Sequence, residues 1–196
     1  MVTDEDNIVE RSDGVAWTQW GPSPSASGGG LALVERKLIT AHATTVTFSG
    51  LDGNTDEVYR LIMRLLNKAG ASVKYVMNPN GETTNLSSNF AYNGLAGVNA
   101  ATWQLSSNTA ADLTDNNWAN YSVDIWAKND PNSIAAIRQY HGDLGVATTT
   151  PAAARGQFSG VWNETSSNLT SLDIVSSVAN GIGNGSTLVL YKYAQS

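Results

Sequence analysis

The chain has 196 residues, of which 41% are hydrophobic and 14% are charged, and it carries a formal net charge of −6 and no cysteine. A chain of this length buries roughly 70% of the surface that its unfolded form exposes, which is enough for one sizeable core. The missing cysteine excludes disulfides, thiolate zinc sites and a cysteine nucleophile. Eleven Lys and Arg spread along an acidic chain disfavour nucleic acid and an anionic membrane as partners.

Residues 1–30 differ from the rest of the chain. An acidic start is followed by VAWTQWGPSPSASGGG, which has no apolar periodicity, and we interpret this segment as an extended N-terminal arm with a Gly/Ser/Pro linker. The acidic start lacks the basic and apolar regions of a secretory signal, which predicts synthesis in the cytoplasm. Trp17, Trp20, Pro22 and Pro24 are candidate partner-binding residues, because aromatic anchors often dominate interfaces. The two tryptophans could equally pack on their own domain.

Residues 31–196 show short apolar runs separated by turn residues. In VYRLIMRLLN (58–67) and NYSVDIWAKN (120–129), apolar residues occupy every second position, as in a half-buried strand. The first run could also be a short helix, and SIAAIRQYHGDL (133–144) fits a strand or a helical stripe. About nine or ten such strands predict an all-β domain, an antiparallel β-sandwich or jelly roll.

The glycine-rich segment ANGIGNGSTLVLYKY, with Gly181, Gly183 and Gly185, invites comparison with a phosphate-binding loop. Such a loop must open a helix, and a P-loop also needs Lys followed by Ser or Thr. Here the following run, TLVLYKY, has the pattern of a strand. The segment is therefore predicted to be a turn between strands.

The acidic turn LDGNTDE places Asp52, Asn54 and Asp56 at the first, third and fifth positions of an EF-hand-like loop. The pattern then fails, because Glu57 stands where the loop needs glycine and Met63 where it needs a bidentate glutamate. A solvated β-turn is the preferred interpretation, and a looser oxygen-ligand site stays open. We predict no cofactor and no metal site.

Signals for catalysis are weak. The chain has two histidines, His42 and His141, and a Ser-His-Asp site could be drawn with His141 and Asp143. No G-x-S-x-G elbow accompanies them. The sequence therefore predicts a protein that is not an enzyme.

Tryptophan supplies a different possibility. Trp103, Trp118, Trp126 and Trp162 could line a sugar-binding face of a β-sandwich, since flat aromatic rings stack on sugar rings. They could instead be core or subunit-contact residues, and this second interpretation is preferred.

Two stretches, TTVTFSGLDGNTDEVYRLIMRLLN and FSGVWNETSSNLTSLDIVSSVANGIGNGSTLVLYKY, resemble small virion proteins of tailed bacteriophages, namely head decoration (cement) and tail-fibre proteins. The resemblance covers both ends of residues 31–196. It implies a β-sandwich or jelly roll on the outside of a virion, non-enzymatic and often oligomeric. It transfers no catalytic residue.

From these observations we expect a head decoration protein on the capsid surface, assembled in the host cytoplasm. Its expected partners are the major capsid protein and copies of itself, as a dimer or trimer. An alternative is a tail-fibre or baseplate module that binds host glycans, and a hydrolase of surface polysaccharide is a third hypothesis.

Overall fold

The computed structural model describes residues 2–3, 9–12, 17–20, 30–92, 95–99, 103–105, 117–129, 138–147, 154–164 and 166–193. The chain forms two compact units, of which the larger spans Leu31–Tyr193. The smaller unit contains β1 (Val2–Thr3), β2 (Val9–Ser12) and β3 (Trp17–Trp20), which pair antiparallel in the order β1-β2-β3. The sequence pattern predicts no strands in this segment, because its apolar residues are not periodic.

The described part of the larger unit consists of strands and one turn of helix. Its elements are β4 (Leu31–Leu38), β5 (Thr45–Ser49), α1 (Gly53–Asp56), β6 (Val58–Leu66), β7 (Tyr75–Pro79), β8 (Leu86–Tyr92), β9 (Leu95–Asn99), β10 (Trp103–Gln104), β11 (Trp118–Trp126), β12 (Arg138–Ala147), β13 (Ala154–Trp162), β14 (Ser171–Ser176) and β15 (Thr187–Tyr193).

These strands form two sheets in which neighbouring strands run antiparallel. The wide sheet has eight strands in the order β4-β15-β6-β11-β12-β13-β8-β9, and the narrow sheet has four in the order β10-β7-β14-β5. The predicted all-β class and antiparallel sandwich are confirmed. Strands adjacent in space are often distant in sequence, as when β15 pairs with both β4 and β6.

The core lies between the two sheets and follows the alternation of the strands. The apolar residues predicted for one face of β6 and of β11 are buried, and they pack against buried apolar residues of the narrow sheet. The buried residues of β6 and β11 are Tyr59, Leu61, Met63, Leu65, Tyr121, Val123 and Ile125, and those of the narrow sheet are Phe48, Tyr75, Met77, Leu172 and Ile174. Across the interface, the rings of Tyr75 and Tyr121 meet edge to face at 6.1 Å. We call the solvent side of the wide sheet its outer face.

Three local predictions have specific outcomes. The run at 58–67 is strand β6 and not a helix. The run at 133–144 is strand β12 from Arg138 onward, and residues 133–137 lie outside the described residues. The acidic turn contains helix α1, and Asp52 caps its amino end with a side chain that accepts from the Thr55 amide. The N-cap position of a helix is commonly occupied by Ser, Thr, Asp or Asn, because their side-chain oxygens accept hydrogen bonds from the free amides at the start of the helix.

Candidate functional site

Asparagine and aspartate side chains join two distant segments at one end of the sandwich. The Asn168 Nδ2 donates to Asp52 Oδ1 at 2.8 Å, and the Asn54 amide donates to Asn168 Oδ1 at 3.0 Å. Hydrogen bonds from Asn168 and then Thr55 lower the pKa of the Asp52 carboxyl below its ordinary value. We call Asp52, Asn54, Asn80 and Asn168 the asparagine joint.

Asn80 holds the other side of the joint. Its Oδ1 accepts from the Thr170 amide at 2.8 Å and the Ser171 amide at 3.1 Å, and its Nδ2 donates to the Asn168 carbonyl at 2.7 Å. Its backbone lies at φ +51°, in the left-handed region that asparagine tolerates better than most residues. The joint therefore fixes the loop before β14 against the loop after β7.

Tyr59 connects this joint to the core. Its hydroxyl accepts from the Asp52 amide at 3.0 Å and donates to Asp56 Oδ2 at 2.7 Å, while Lys192 Nζ lies 2.7 Å from Asp56 Oδ1. Burial, and then the hydrogen bond to Asp56, raise the pKa of Tyr59. The Asp52 carboxylate caps helix α1, and the Asp56 carboxylate bonds Tyr59 and Lys192. The described contacts of both carboxylates are therefore structural.

The side chains of the acidic turn, where a looser oxygen-ligand site was left open, have different hydrogen-bond partners. The Asp52 carboxylate accepts from Asn168 within the joint, Asn54 Oδ1 accepts from the Asn129 amide, and Asp56 faces Tyr59 and Lys192. Among the described residues, no group of three or more His, Cys, Asp or Glu could hold a metal ion. In the same part of the chain, no helix is long and apolar enough to cross a membrane.

The glycine-rich segment is a turn between strands, as predicted. A Cβ on Gly181 would lie 1.9 Å from Ser176 Oγ, and one on Gly183 would lie 2.8 Å from the Leu66 carbonyl oxygen. Gly185 adopts φ +92°, which glycine accepts without steric cost. These glycines permit close backbone approach, and β15 follows them directly.

The two histidines lie in different surroundings. His42 Nδ1 accepts from the Asn184 amide at 3.1 Å. His141 belongs to β12, where the register places it opposite Asp124 of β11 and Ser159 of β13. Asp143, which the sequence offered as its partner, pairs instead with Ser122 and Gln157. The side chains of His141 and Asp143 lie outside the described part of the structure.

The four tryptophans that could have lined a sugar-binding face are divided between two environments. Trp103 and Trp162 are buried in the core, with ring centroids 6.5 Å apart, and Trp103 Nε1 donates to the Val161 carbonyl at 2.8 Å. Trp118 and Trp126 lie at opposite ends of β11 on the outer face. The preferred core interpretation therefore holds for Trp103 and Trp162.

The predicted partner-binding residues of the arm fall in and after β3. Trp17 pairs in register with Ser12, and Trp20 pairs with Val9. Pro22 and Pro24 lie outside the described residues. Partner binding by these four residues stays a prediction.

The outer face carries features that the sequence analysis missed. Among the described residues of the larger unit, the exposed large apolar side chains are Leu31, Leu33, Leu38, Ile62 and Trp126. All five belong to strands β4, β6 and β11 of the wide sheet. Among the described residues, the apolar surface is therefore concentrated on one half of one sheet.

Strand β4 has its polarity reversed. Leu38 pairs with Thr187 and Leu33 pairs with Tyr191, both on the outer face, whereas Lys37 pairs with the buried Leu188. Lys37 bonds Glu35 at 2.5 Å and lies over the Phe48 ring at 5.4 Å. A strand at a sandwich margin ordinarily turns its leucines inward and its charges outward. In β4 the leucines face outward together with the exposed Arg36, while Lys37 and Glu35 pair with the buried Leu188 and Leu190.

A second group on the outer face combines charged and hydroxyl side chains. Arg60 Nε lies 3.8 Å from Asp124 Oδ1, and Arg60 Nη2 donates to Ser122 Oγ at 3.2 Å. The Tyr193 hydroxyl lies 3.4 Å from the same carboxylate oxygen. A signal for this group is present in the sequence, since Arg60, Ser122 and Asp124 are the polar members of two alternating runs, but their pairing depends on register.

Comparisons with known proteins add little to this geometry. No protein-family model matches the chain, and no curated protein matches it. A solved structure, the CBM2 module of the evolved Dit of Lactobacillus casei BL23 phage J-1, aligns with 86% of this chain and 81% of its own at 8% identity and a TM-score of 0.22. A TM-score this low does not establish a shared fold.

Proposed function

We propose that this protein is a non-enzymatic structural protein of a bacteriophage virion, held on the outside of the capsid by contacts with other virion proteins. The reversed polarity of β4 is the observation that carries the proposal. Leu33 and Leu38 are each 60% exposed, although inward-facing leucines would stabilise the sandwich by roughly 2 kcal/mol each. Exposed apolar side chains grouped on one surface are typical of protein–protein contact sites.

The position of β4 supports the same proposal. It is one of the two edge strands of the wide sheet and pairs with β15 on one side. Edge strands of monomeric proteins are ordinarily short or covered, because their free amides and carbonyls pair readily with other chains. β4 has eight residues, and among the described strands it pairs only with β15, so its other edge can offer backbone hydrogen bonds beside its leucines. A capsid protein or a neighbouring copy could use both.

The sequence resemblance supports the virion assignment. Its first stretch covers β5, α1 and β6, and its second covers β14 and β15, which pair with one another in the two sheets. The similar residues therefore include one strand pair of each sheet and three members of the asparagine joint, Asp52, Asn54 and Asn168. The resemblance implies the outside of a virion; a capsid position is our preferred expectation, with the tail as the alternative.

The proposal is tested on purified particles of the source phage. We would count copies per particle by quantitative mass spectrometry for the wild-type protein and for Leu33→Ser/Leu38→Ser, and locate the protein by cryo-electron microscopy. A matched control, Thr45→Ala/Ser49→Ala, alters exposed residues of β5, the edge strand of the narrow sheet.

We expect the leucine variant to lose about 90% of its occupancy, because modest contacts repeated by symmetry multiply into strong attachment. The control should keep wild-type occupancy. Full occupancy of the leucine variant would overturn the role of β4, and absence of the protein from purified particles would overturn the virion assignment. Density at the tail tip would replace the capsid position by the tail.

A further inference from the structure

Arg60, Asp124 and Ser122 form a fixed array of hydrogen-bonding groups on the outer face of the wide sheet. The Arg60 and Asp124 side chains are 36% and 30% exposed, so the array is held by its own contacts and still faces solvent. A guanidinium carries five N–H donors and a carboxylate can accept at both oxygens. The array thus offers donors and acceptors side by side on a rigid strand pair.

The indole ring of Trp126 provides a flat apolar surface beside the array. Its side chain is 41% exposed, and it lies two residues from Asp124 on the same face of β11. Two residues along a strand correspond to roughly 7 Å, a separation that one sugar ring can bridge. An exposed indole is costly to leave in water, because tryptophan buries a large apolar area when it finds a partner.

We propose that this surface binds a carbohydrate, with one sugar ring stacked on Trp126 and its hydroxyl groups bonded to Arg60 and Asp124. This binding activity goes beyond the proposed attachment to the capsid. A sugar presents an apolar C–H face and, at its rim, hydroxyls that both donate and accept. The surface offers the complementary pair, a flat ring and an adjacent donor–acceptor array, and it needs no conformational change to present them.

The carbohydrate surface is distinct from the leucines of β4. β11 is the fourth strand from the β4 edge, which places Trp126 three strand spacings, roughly 14 Å, from that edge. Tyr193 of β15 lies between the two and contacts Asp124 through its hydroxyl. A protein can therefore be attached by β4 while the array stays open.

Charge favours a sugar ligand over a nucleic acid. The array pairs one arginine with one carboxylate, and the whole chain carries a net charge of −6. Nucleic acid binding depends on clustered positive charge that neutralises phosphates. The flat surface predicts weak binding by one copy, and many copies on one particle would strengthen it by avidity.

The test uses the purified full-length protein on an array of bacterial surface polysaccharides of defined structure, with albumin-coated spots as blanks. The variants are Trp126→Ala, Trp126→Phe and Asp124→Asn, and Leu33→Ser/Leu38→Ser is the matched control on the same sheet. Circular dichroism verifies that each variant is folded.

We expect the wild-type protein and the leucine variant to bind at least one polysaccharide equally. Trp126→Ala and Asp124→Asn should each reduce the apparent affinity by about tenfold, the size of one lost stacking or hydrogen-bonding contact, and Trp126→Phe should retain part of it. Silence of the wild-type protein on the whole array would overturn the proposal, as would binding that both substitutions leave unchanged. If Trp126→Ala instead lowers particle occupancy without affecting any polysaccharide, the surface is a protein contact.

These results separate the two proposals. Capsid attachment is measured on particles and depends on Leu33 and Leu38, whereas carbohydrate binding is measured with free protein and depends on Trp126 and Asp124. Either can fail while the other stands.

Discussion

At the asparagine joint, polar side chains from distant parts of the chain bond one another, whereas on the outer face of the wide sheet large apolar side chains face solvent. Asn168 reaches Asp52 across 116 residues of sequence, while Leu33 and Leu38 are 60% exposed. The joint contributes to stability because its contacts are internal. The exposed apolar side chains of the outer face can contact other molecules, and we therefore assign the functional surface to this face.

The comparison predicts that substitutions at the joint lower the free energy of unfolding and that substitutions on the outer face do not. The largest loss is expected for Asn80→Ala. This change removes hydrogen bonds to the Thr170 and Ser171 amides and leaves alanine at a positive φ. We expect a loss of about 3 kcal/mol, measured by urea unfolding.

Asn80→Gly separates the two causes. Glycine accepts the positive φ but makes no side-chain bonds, so this variant should recover about 1 kcal/mol relative to alanine. Equal stability of the two variants would mean that backbone conformation contributes nothing at this position.

A somewhat smaller loss is expected for Gly53→Ala at the start of α1. A Cβ on Gly53 would lie 2.7 Å from Leu169 Cβ and 3.0 Å from Ala127 Cβ. Overpacking of this kind costs about 2 kcal/mol. Gly50→Ala is the control, because it has φ +70° with nothing within 4 Å of the added Cβ and isolates backbone strain from crowding. A wild-type free energy of unfolding for Gly53→Ala would show that α1 shifts freely and that Gly53 is not tightly packed against Leu169 and Ala127.

Tyr59→Phe should cost about 1 kcal/mol at neutral pH, since it removes one hydroxyl between Asp52 and Asp56. Burial and the hydrogen bond to Asp56 raise the pKa of Tyr59 in the folded state. Its contribution is therefore complete below about pH 10, the ordinary tyrosine pKa, and is lost as pH rises further, because the unfolded chain ionises first.

Unfolding measured between pH 8 and pH 11 checks this sign. Above pH 10, the wild-type protein should lose stability more steeply than Tyr59→Phe, by up to about 1.4 kcal/mol per pH unit. If the free energies of unfolding of the wild-type protein and of Tyr59→Phe changed in parallel with pH, that result would contradict a raised pKa at Tyr59. The remaining wild-type slope belongs to other groups, including the buried Tyr75, Tyr121 and Tyr140, whose pKa values are also raised by burial.

On the outer face, Leu33→Ser/Leu38→Ser should leave the free energy of unfolding within about 0.5 kcal/mol of wild type. The two side chains are largely exposed, so serine loses little burial. A loss above 2 kcal/mol would show that these leucines stabilise the fold, and would remove the comparison on which the proposed attachment rests.

The smallest effect on the larger unit is expected for Trp17→Ala/Trp20→Ala. These tryptophans belong to β3 of the smaller unit, and we expect the unfolding of Leu31–Tyr193 to be unchanged. If the arm is an anchor, as its aromatic residues predict, attachment to particles should weaken. Full occupancy of this double variant on particles would contradict a role for the arm.

Period-two alternation made the core of the sandwich predictable. In β6 and β11 the predicted apolar faces are the buried ones, because a strand with one buried face must place apolar residues at every second position. The glycine turn was predictable for a similar local reason, since TLVLYKY continues as a strand. Strands β1 to β3 were not, because their residues follow no period.

The candidate site was only partly predictable. Trp126 was among the tryptophans considered, but Trp103 and Trp162 are core residues, and composition alone could not divide the four. The pairing of Arg60 with Asp124 depends on which strands become neighbours. In β4, Leu33 and Leu38 are five positions apart and would face opposite sides of a regular strand. The β-bulge, where the pairing with β15 shifts between Leu190 and Tyr191, brings both to the outer face, so their exposure could not be read from LALVERKL.

The sequence by itself determined the all-β class, the alternating core strands and the glycine turn, because these depend on spacing within single segments. Only the tertiary structure decided which segments meet: Asn168 with Asp52, Arg60 with Asp124, and β4 with β15. Such contacts join residues that are far apart along the chain. Their energies depend on the whole arrangement of both sheets, and no local pattern of residues contains that arrangement.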